Sequence, residues 1–441
     1  MMRKLRLLIL PLLLLIGLII WLLPTLLKTI PSRYLVRLPE PLQQLGLPDD
    51  QVPILPTVSS PVNADALLGT GVVQAASLPA VVAEPATPTA VPVAGQVEVV
   101  ATETAVPTLA PTATPWPIPT TARLNGIEHQ FQTWNNCGPA TIAMTLSYFQ
   151  FHVTQSDTAT YLKPNPEDRN VSPYEMARYV NKQTPLQAIN RANGTADMLK
   201  LFVANNIPVI IELGIEPPGE YRWLGWYGHY LLVVAYDDAQ QQFWVYDSWF
   251  GTSDTPMENA DRDGRELSYE TLARDWPHFN RNYIPVYRPE QAELAAAIIG
   301  YNMDDATMWQ NNLRLAQTEA AREPNNAFFW FNLGTIYNAL GQYAEAATAF
   351  DQARAIGLPW RMLWYQFGPF EAYYQVGRYD DVILLADVTM KDRPYFEESF
   401  YYKGLALQAQ GDTAGAATLF NEAIRFNPYF EPAVVALNSN Q

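Results

Sequence analysis

The chain holds one cysteine, Cys137, and four histidines, His129, His152, His229 and His278. A single thiol excludes an internal disulfide framework and a four-thiolate zinc or iron–sulfur site. The histidines are scattered, so no metal cluster and no cofactor is expected. A single thiol can still act as a nucleophile. Cys137 lies in Gln132-Thr-Trp-Asn-Asn-Cys137-Gly-Pro-Ala, at the expected N-terminus of a helix, with Pro139 in the first turn where it is tolerated. Exposed amides and the helix dipole at such a place favour a thiolate. The flanking Asn135, Asn136, Gly138 and Pro139 are polar or turn-forming, unlike the surroundings of an inert core cysteine. His229 follows Gly228 and opens the apolar run Tyr230-Leu-Leu-Val-Val-Ala-Tyr, and Phe243-Trp-Val-Tyr-Asp247 ends in a carboxylate. Adjacent antiparallel strands would set His229 and Asp247 side by side. Thiolate, proton-shuttling imidazole and tautomer-fixing carboxylate form a nucleophile–base–orienter set.

Positioning these groups needs a helix over about 138–149 and strands over 208–213, 230–236, 243–246 and 283–287. Further helix is expected around 174–181 and 196–205. A leading helix with strands behind it makes 124–288 an α+β domain. Trp223, Trp226 and Tyr227 either line a substrate groove or pack half-buried. Asp254, Glu258, Asp261 and Asp263 lack the ligand spacing of a calcium loop and read as a solvated loop. His129, His152 and His278 carry no assigned role.

The arrangement resembles the papain-like cysteine peptidases, closest to the bacteriocin-processing (double-glycine) peptidase type. The resemblance covers residues 124–288 through Gln132, Cys137-Gly-Pro-Ala, Gly228-His229 and Asp247. It implies that Gln132 donates to the oxyanion, with Gln130 as the alternative, and that the Cys137 amide is the second donor. Two features depart from that type. No Gly-x4-Gly-Lys-Ser/Thr run marks an ATP-binding transporter segment, so the double-glycine specificity does not carry over. Ser248 stands where a proline is common.

Before this domain, Arg3, Lys4 and Arg6 precede an uncharged apolar run, Leu7 to Leu27. Its 21 residues would give about 31 Å of helix, matching a bilayer core. The flank Lys28-Thr-Ile-Pro-Ser-Arg offers no small-residue cleavage site, so residues 1–30 read as a retained transmembrane anchor. Residues 31–123 read as a Pro/Thr/Ala-rich, disordered stalk. From Gln51 to Ala122 there is no Lys or Arg, 12 of the 36 prolines, and Trp116 as the only aromatic. Such a stalk suits a domain held off the outer membrane face, which places the bulk of the chain outside the cytoplasm.

The C-terminal part repeats. Prolines 324, 359, 394 and 428 are spaced by 35, 35 and 34, and glycines 341, 377 and 411 keep phase. Trp330-x2-Leu333-Gly334-x2-Tyr337, Gly341-x-Tyr343 and Ala346-x3-Phe350 resemble the tetratricopeptide repeat. Looser copies carry Tyr373, Gly377, Tyr379 and Ala386, then Gly404, Leu407, Gly411, Ala416, Phe420 and Pro428. Trp309, Leu313 and Ala316 suggest a degenerate leading copy. Residues 289–441 therefore read as an all-α solenoid in which small residues such as Gly341 and Ala346 let helices approach. Such arrays bind partners, here an unidentified protein.

Net charge fits this division. Residues 1–123 hold seven basic and seven acidic residues, whereas 124–441 carry the whole −16. An acidic folded part argues against nucleic-acid binding, which needs a basic face. The expected protein is a membrane-anchored extracytoplasmic cysteine peptidase acting on peptides or proteins. The alternatives are a non-catalytic peptide-binding scaffold and a cell-wall amidase or endopeptidase. The latter usually shows Asp-Cys-Ser-Gly at its nucleophile, and this chain has Asn-Cys-Gly-Pro.

Overall fold

A computed structural model of the chain describes residues 21–23, 25–27, 54–58, 62, 64–68, 117–168, 170–216, 225–253, 255–260 and 263–439. A sheet-containing domain is followed by a helical repeat region. The sheet strands are β1 (Thr121–Arg123), β2 (Gln187–Ala188), β3 (Val209–Ile215), β4 (Tyr227–Asp237), β5 (Gln242–Asp247), β6 (Arg265–Ser268) and β7 (Tyr283–Tyr287). Their order is β2-β7-β3-β4-β5-β6, all antiparallel, with β1 added to β4. Strands β3 and β4 are buried along nearly their whole length and read as continuous apolar runs.

Helix α1 (Cys137–Tyr148) lies against one face of this sheet, boxed in by α2 (Gln155–Leu162) and α3 (Pro173–Gln183). Ten of its residues are buried, so it is enclosed on all sides, and its polar Thr141, Thr145 and Ser147 donate to backbone carbonyls. Ile142, Met144 and Leu146 join Ile210, Leu232 and Val234 of the sheet in one core. Helix α4 (Ala196–Ala204) covers the other face through Leu199 and Phe202, which pack with Val209, Ile211 and Leu231. Helix α5 (Tyr269–Asp275) follows β6, and α6 (Ala292–Ile299) leads into the repeats.

The repeat region comprises α7 (Asp305–Arg322), α8 (Ala327–Ala339), α9 (Tyr343–Ile356), α10 (Gly368–Gln375), α11 (Tyr379–Asp392), α12 (Glu397–Ala409), α13 (Thr413–Phe426) and α14 (Glu431–Ser439). Successive helices pack as hairpins. The glycines that allow close helix crossing differ from those the phase suggested. Gly341, Gly377 and Gly411 have positive φ of 72°, 76° and 93° and open space where a Cβ would sit, so they serve turns. The crossings use Gly334 and Gly404, where a Cβ would lie 2.7 Å from Phe350 and 2.5 Å from Phe420.

Two further expectations need correction. Part of the segment read as a disordered stalk is docked on the repeats. Leu55, Ala64 and Leu67 are buried in the repeat core. Leu55 N donates to the Leu358 carbonyl, Arg354 Nε donates to Pro56, and Gln317 and Tyr337 both donate to Leu67. The missing aromatics did not matter because the repeats supply the large surfaces. The sheet also starts before residue 124: β1 pairs with β4, and Tyr236 hydroxyl donates to the Pro119 carbonyl. Most of the expected anchor lies outside the described residues; 21–23 and 25–27 are helical. Among the described residues, no helix is long and apolar enough to cross a membrane. Residues 69–116, Trp223, Asp254 and Asp261 also lie outside.

Candidate active site

The site forms where β5 ends. Asp247, its last residue, pairs with Leu231 across β4, two residues beyond His229. The two side chains are thus same-face diagonal neighbours, within reach of an imidazole and a carboxylate. His229 Nε2 lies 2.7 Å from Asp247 Oδ1, and both side chains are buried. The other ring nitrogen, Nδ1, is left for Cys137, whose side chain hydrogen bonds the imidazole. Cys137 is the first residue of α1, so its amide has no acceptor within the helix.

Asp247 is strongly held. Oδ1 also accepts from the amides of Trp249 and Phe250 at 2.8 and 3.0 Å, and Oδ2 accepts from Arg265 Nη1 at 2.6 Å. Burial alone would raise this carboxyl, but His229 and Arg265 hold it well below the usual carboxylate range. Burial alone would depress His229. The Asp247 carboxylate outweighs that, Cys137 adds to it, and the imidazole is pushed up to about 10. The buried Asp247 carboxylate thus favours the charged form of the ring.

The loop before Cys137 is fixed from several sides. Gln132 N donates to Ser248 O at 2.7 Å, and Ser248 Oγ donates to Gln132 Oε1 at 2.8 Å. This pins the amide by its oxygen and leaves its NH2 to donate. Gln130 is engaged elsewhere: its Nε2 donates to Val153 and its Oε1 accepts from Gln155 N. Asn135 takes a positive φ of 59°, and its carbonyl accepts from the buried Lys163 ammonium at 3.0 Å. Asn136 Nδ2 donates to Thr133 Oγ1.

All four residues singled out from sequence, Cys137, His229, Asp247 and Gln132, converge here. Sequence reasoning missed Arg265, Trp249 and the use made of Ser248. It also gave His129 no role, whereas His129 Nε2 lies 2.8 Å from the Asp247 carbonyl and steadies the strand end. Arg265 sits within an acidic stretch, and only the pairing of β6 with β5 brings it to Asp247. Such a pairing leaves no local signal. His152 pairs with Glu128 at the surface. His278 is pushed down to about 3, mainly by burial, and accepts from Trp226 Nε1. Trp226 itself is buried, stacked on Phe279 at 5.7 Å, and is not a groove wall.

Residues 123–277 match the Peptidase_C39 like family. The C39-like match spans α1, β4 and β5 and so contains Gln132, Cys137, His229 and Asp247. Residues 315–348 and 398–428 match tetratricopeptide repeats. Two solved structures are similar at low identity. One is a double glycine motif protease from an AMS/PCAT transporter in complex with the leader peptide, at 13% identity and TM-score 0.27, covering 38% of this chain and 94% of that one. The other is a putative C39-like peptidase from Bacillus anthracis, at 15% identity and TM-score 0.29, covering 38% and 98%. No curated protein matches the chain.

Proposed function

We propose that the protein is a cysteine peptidase that hydrolyses peptide bonds, with a repeat domain that binds a partner protein. The observation that carries this reading is the run of contacts from the buried Asp247 to the buried His229 and on to the half-buried Cys137. The thiolate is the attacking form of a cysteine, and His229 is the base that takes up the thiol proton. The Cys137 sulfur bonds to the scissile carbonyl carbon, and the oxygen takes up the negative charge. The Gln132 amide and the Cys137 N–H are the donors proposed to hold that oxygen. His229 donates its proton to the leaving amine, freeing the first product. A water then loses a proton to His229 as it attacks the thioester, and the acid leaves as Cys137 is restored. Asp247 stays ionised throughout and keeps the ring oriented.

The apolar run Leu7–Leu27 is proposed as a retained anchor, with the peptidase and repeats outside the membrane. Protease added to intact cells should then release a soluble fragment. A fragment protected until lysis would sink this topology. For the chemistry, the full chain is incubated with a peptide library beside its Cys137→Ala form. Cleavage should be abolished in the variant, need reducing conditions, stop on thiol alkylation and ignore chelators. Equal cleavage by the variant refutes the proposal. The full chain is needed because β1 packs into the sheet and Leu55, Ala64 and Leu67 into the repeat core.

A further inference from the structure

The repeat domain reaches the strand that carries His229. Arg361, in the turn Trp360–Trp364, lies over the Tyr227 ring at 4.0 Å from its centroid, two residues before His229. Its Nη1 donates to the Trp226 carbonyl at 3.1 Å. Trp360 and Trp364 flank the same guanidinium at 5.1 and 5.4 Å, so three rings surround the cation. The turn is fixed from beneath, because Met362 and Leu363 are wholly buried. From Tyr227 the contacts continue inward. Tyr227 meets Trp249 edge-on at 6.2 Å, and Trp249 meets His229 edge-on at 6.4 Å. A Cβ on Gly228 would lie 2.7 Å from Phe279 and 3.1 Å from Tyr365 of the repeat domain. The repeats therefore press on residues 226, 227 and 228 in succession. Within the sheet this end of β4 is held on one edge only: β3 pairs with Tyr227–Tyr230, whereas β5 stops at Asp247 opposite Leu231.

We propose that Arg361 is a positioning residue for the C39-like site: the repeat domain seats His229 through Tyr227 and Trp249, so the two domains work as one catalytic unit. The proposal rests on the peptidase reading above. A planar guanidinium suits this place because it stacks on rings while donating sideways to the Trp226 carbonyl, which an ammonium does less well. A small displacement of His229 away from the thiol is enough to slow the chemistry without touching substrate binding.

The test compares full-length wild type, Arg361→Met and Arg361→Lys. Arg361→Met keeps an apolar stem and removes the cation. It should lower kcat about 10- to 100-fold, leave KM within about threefold, and leave the helical circular dichroism unchanged. Arg361→Lys, which restores a cation over Tyr227, should fall between the two. NMR titration of the His229 ring gives a readout that needs no substrate: its midpoint should drop in Arg361→Met and recover partly in Arg361→Lys. Unchanged kcat and an unchanged His229 midpoint in Arg361→Met overturn the proposal. So does a loss of thermal stability alone, with kcat of the folded protein intact. If wild type shows no Cys137-dependent cleavage, the peptidase reading fails. The titration arm then still decides whether Arg361 seats His229.

Discussion

Replacing Asp247 by Asn tests the electrostatics of the site most directly. The change keeps shape and leaves Oδ1 available to the Trp249 and Phe250 amides, but removes the charge. In the wild type, burial works against a charged His229 and the carboxylate reverses it, bringing the ring from 6.5 to about 10. That net difference, from which burial is already subtracted and to which Cys137 adds, corresponds to about 5 kcal/mol. Without the carboxylate, burial prevails and the ring titrates below 6.5, so less than about a quarter is charged at pH 7. A loss of that order in the transition state would lower kcat about 3000-fold. KM should hardly move, because Asp247 is wholly buried and touches no substrate. The variant also leaves Arg265 facing an uncharged amide. Breaking a buried pair typically costs about 3–5 kcal/mol, so kinetics must be run well below the melting temperature. The assay pairs peptide turnover with an NMR pH titration of the His229 ring. A ring that still titrates near 10 in the variant, or unchanged kcat, would refute the reasoning.

Other expected outcomes follow the same geometry. Gln132→Ala should lower kcat about 100- to 1000-fold with little change in KM, and Ser248→Ala, which only frees Gln132 Oε1, should cost less; the reverse ranking in steady-state kinetics would remove Gln132 from the oxyanion role. Stability should decline in alkali. His229, raised to about 10, contributes in full below about 6.5 and loses its contribution as pH rises through 10. Glu212, pushed up to about 8 chiefly by burial, contributes in full below about 4.5 and loses it through 8. Melting temperature should therefore be lower at pH 9.5 than at pH 6.5, and Glu212→Gln should flatten part of that slope. Asp247 acts in the other direction, contributing above about 3.8 and failing in acid. In the repeats, Gly334→Leu should collide with Phe350 and cost about 1–3 kcal/mol. Gly341→Leu should show only the smaller penalty of a positive φ, and equal melting shifts would contradict the assignment.

The nucleophile, base and orienter were legible because each lies at the start or end of a strongly apolar element. Cys137 opens a helix, His229 sits near the start of β4 and Asp247 closes β5. Short elements left weaker traces. Strands β1, β2 and β6 have three, two and four residues, too few to show alternation, and β6 carries the Arg265 that holds Asp247. Helix α2 is polar and was missed although its Thr154 capping box is complete. Repeat phase located the helix pairs, but it could not separate turn glycines from crossing glycines. Both kinds recur every turn of the array, and only the facing ring of Phe350 or Phe420 distinguishes them. The docking of Leu55 and Leu67 was hidden because their partners, Leu358 for one and Gln317 and Tyr337 for the other, lie 250 residues or more along the chain.

That docking changes the length of the leash. If Leu7–Leu27 is held in a membrane as proposed, a free stalk would let the catalytic domain roam through the 90 residues between Leu27 and residue 117, roughly 300 Å at full stretch. With Leu55 clamped by the Leu358 carbonyl and Arg354 on Pro56, the reach from Leu27 to the first docked residue is bounded by 27 residues of sequence, roughly 90 Å at most. Confining a catalyst to a shell about one third as deep raises its encounter rate with anything displayed on the same surface and lowers it for anything distant. Leu55→Asp with Leu67→Asp would lengthen the leash while leaving the Cys137–His229–Asp247 geometry alone, shifting which substrates are met without altering how they are cut.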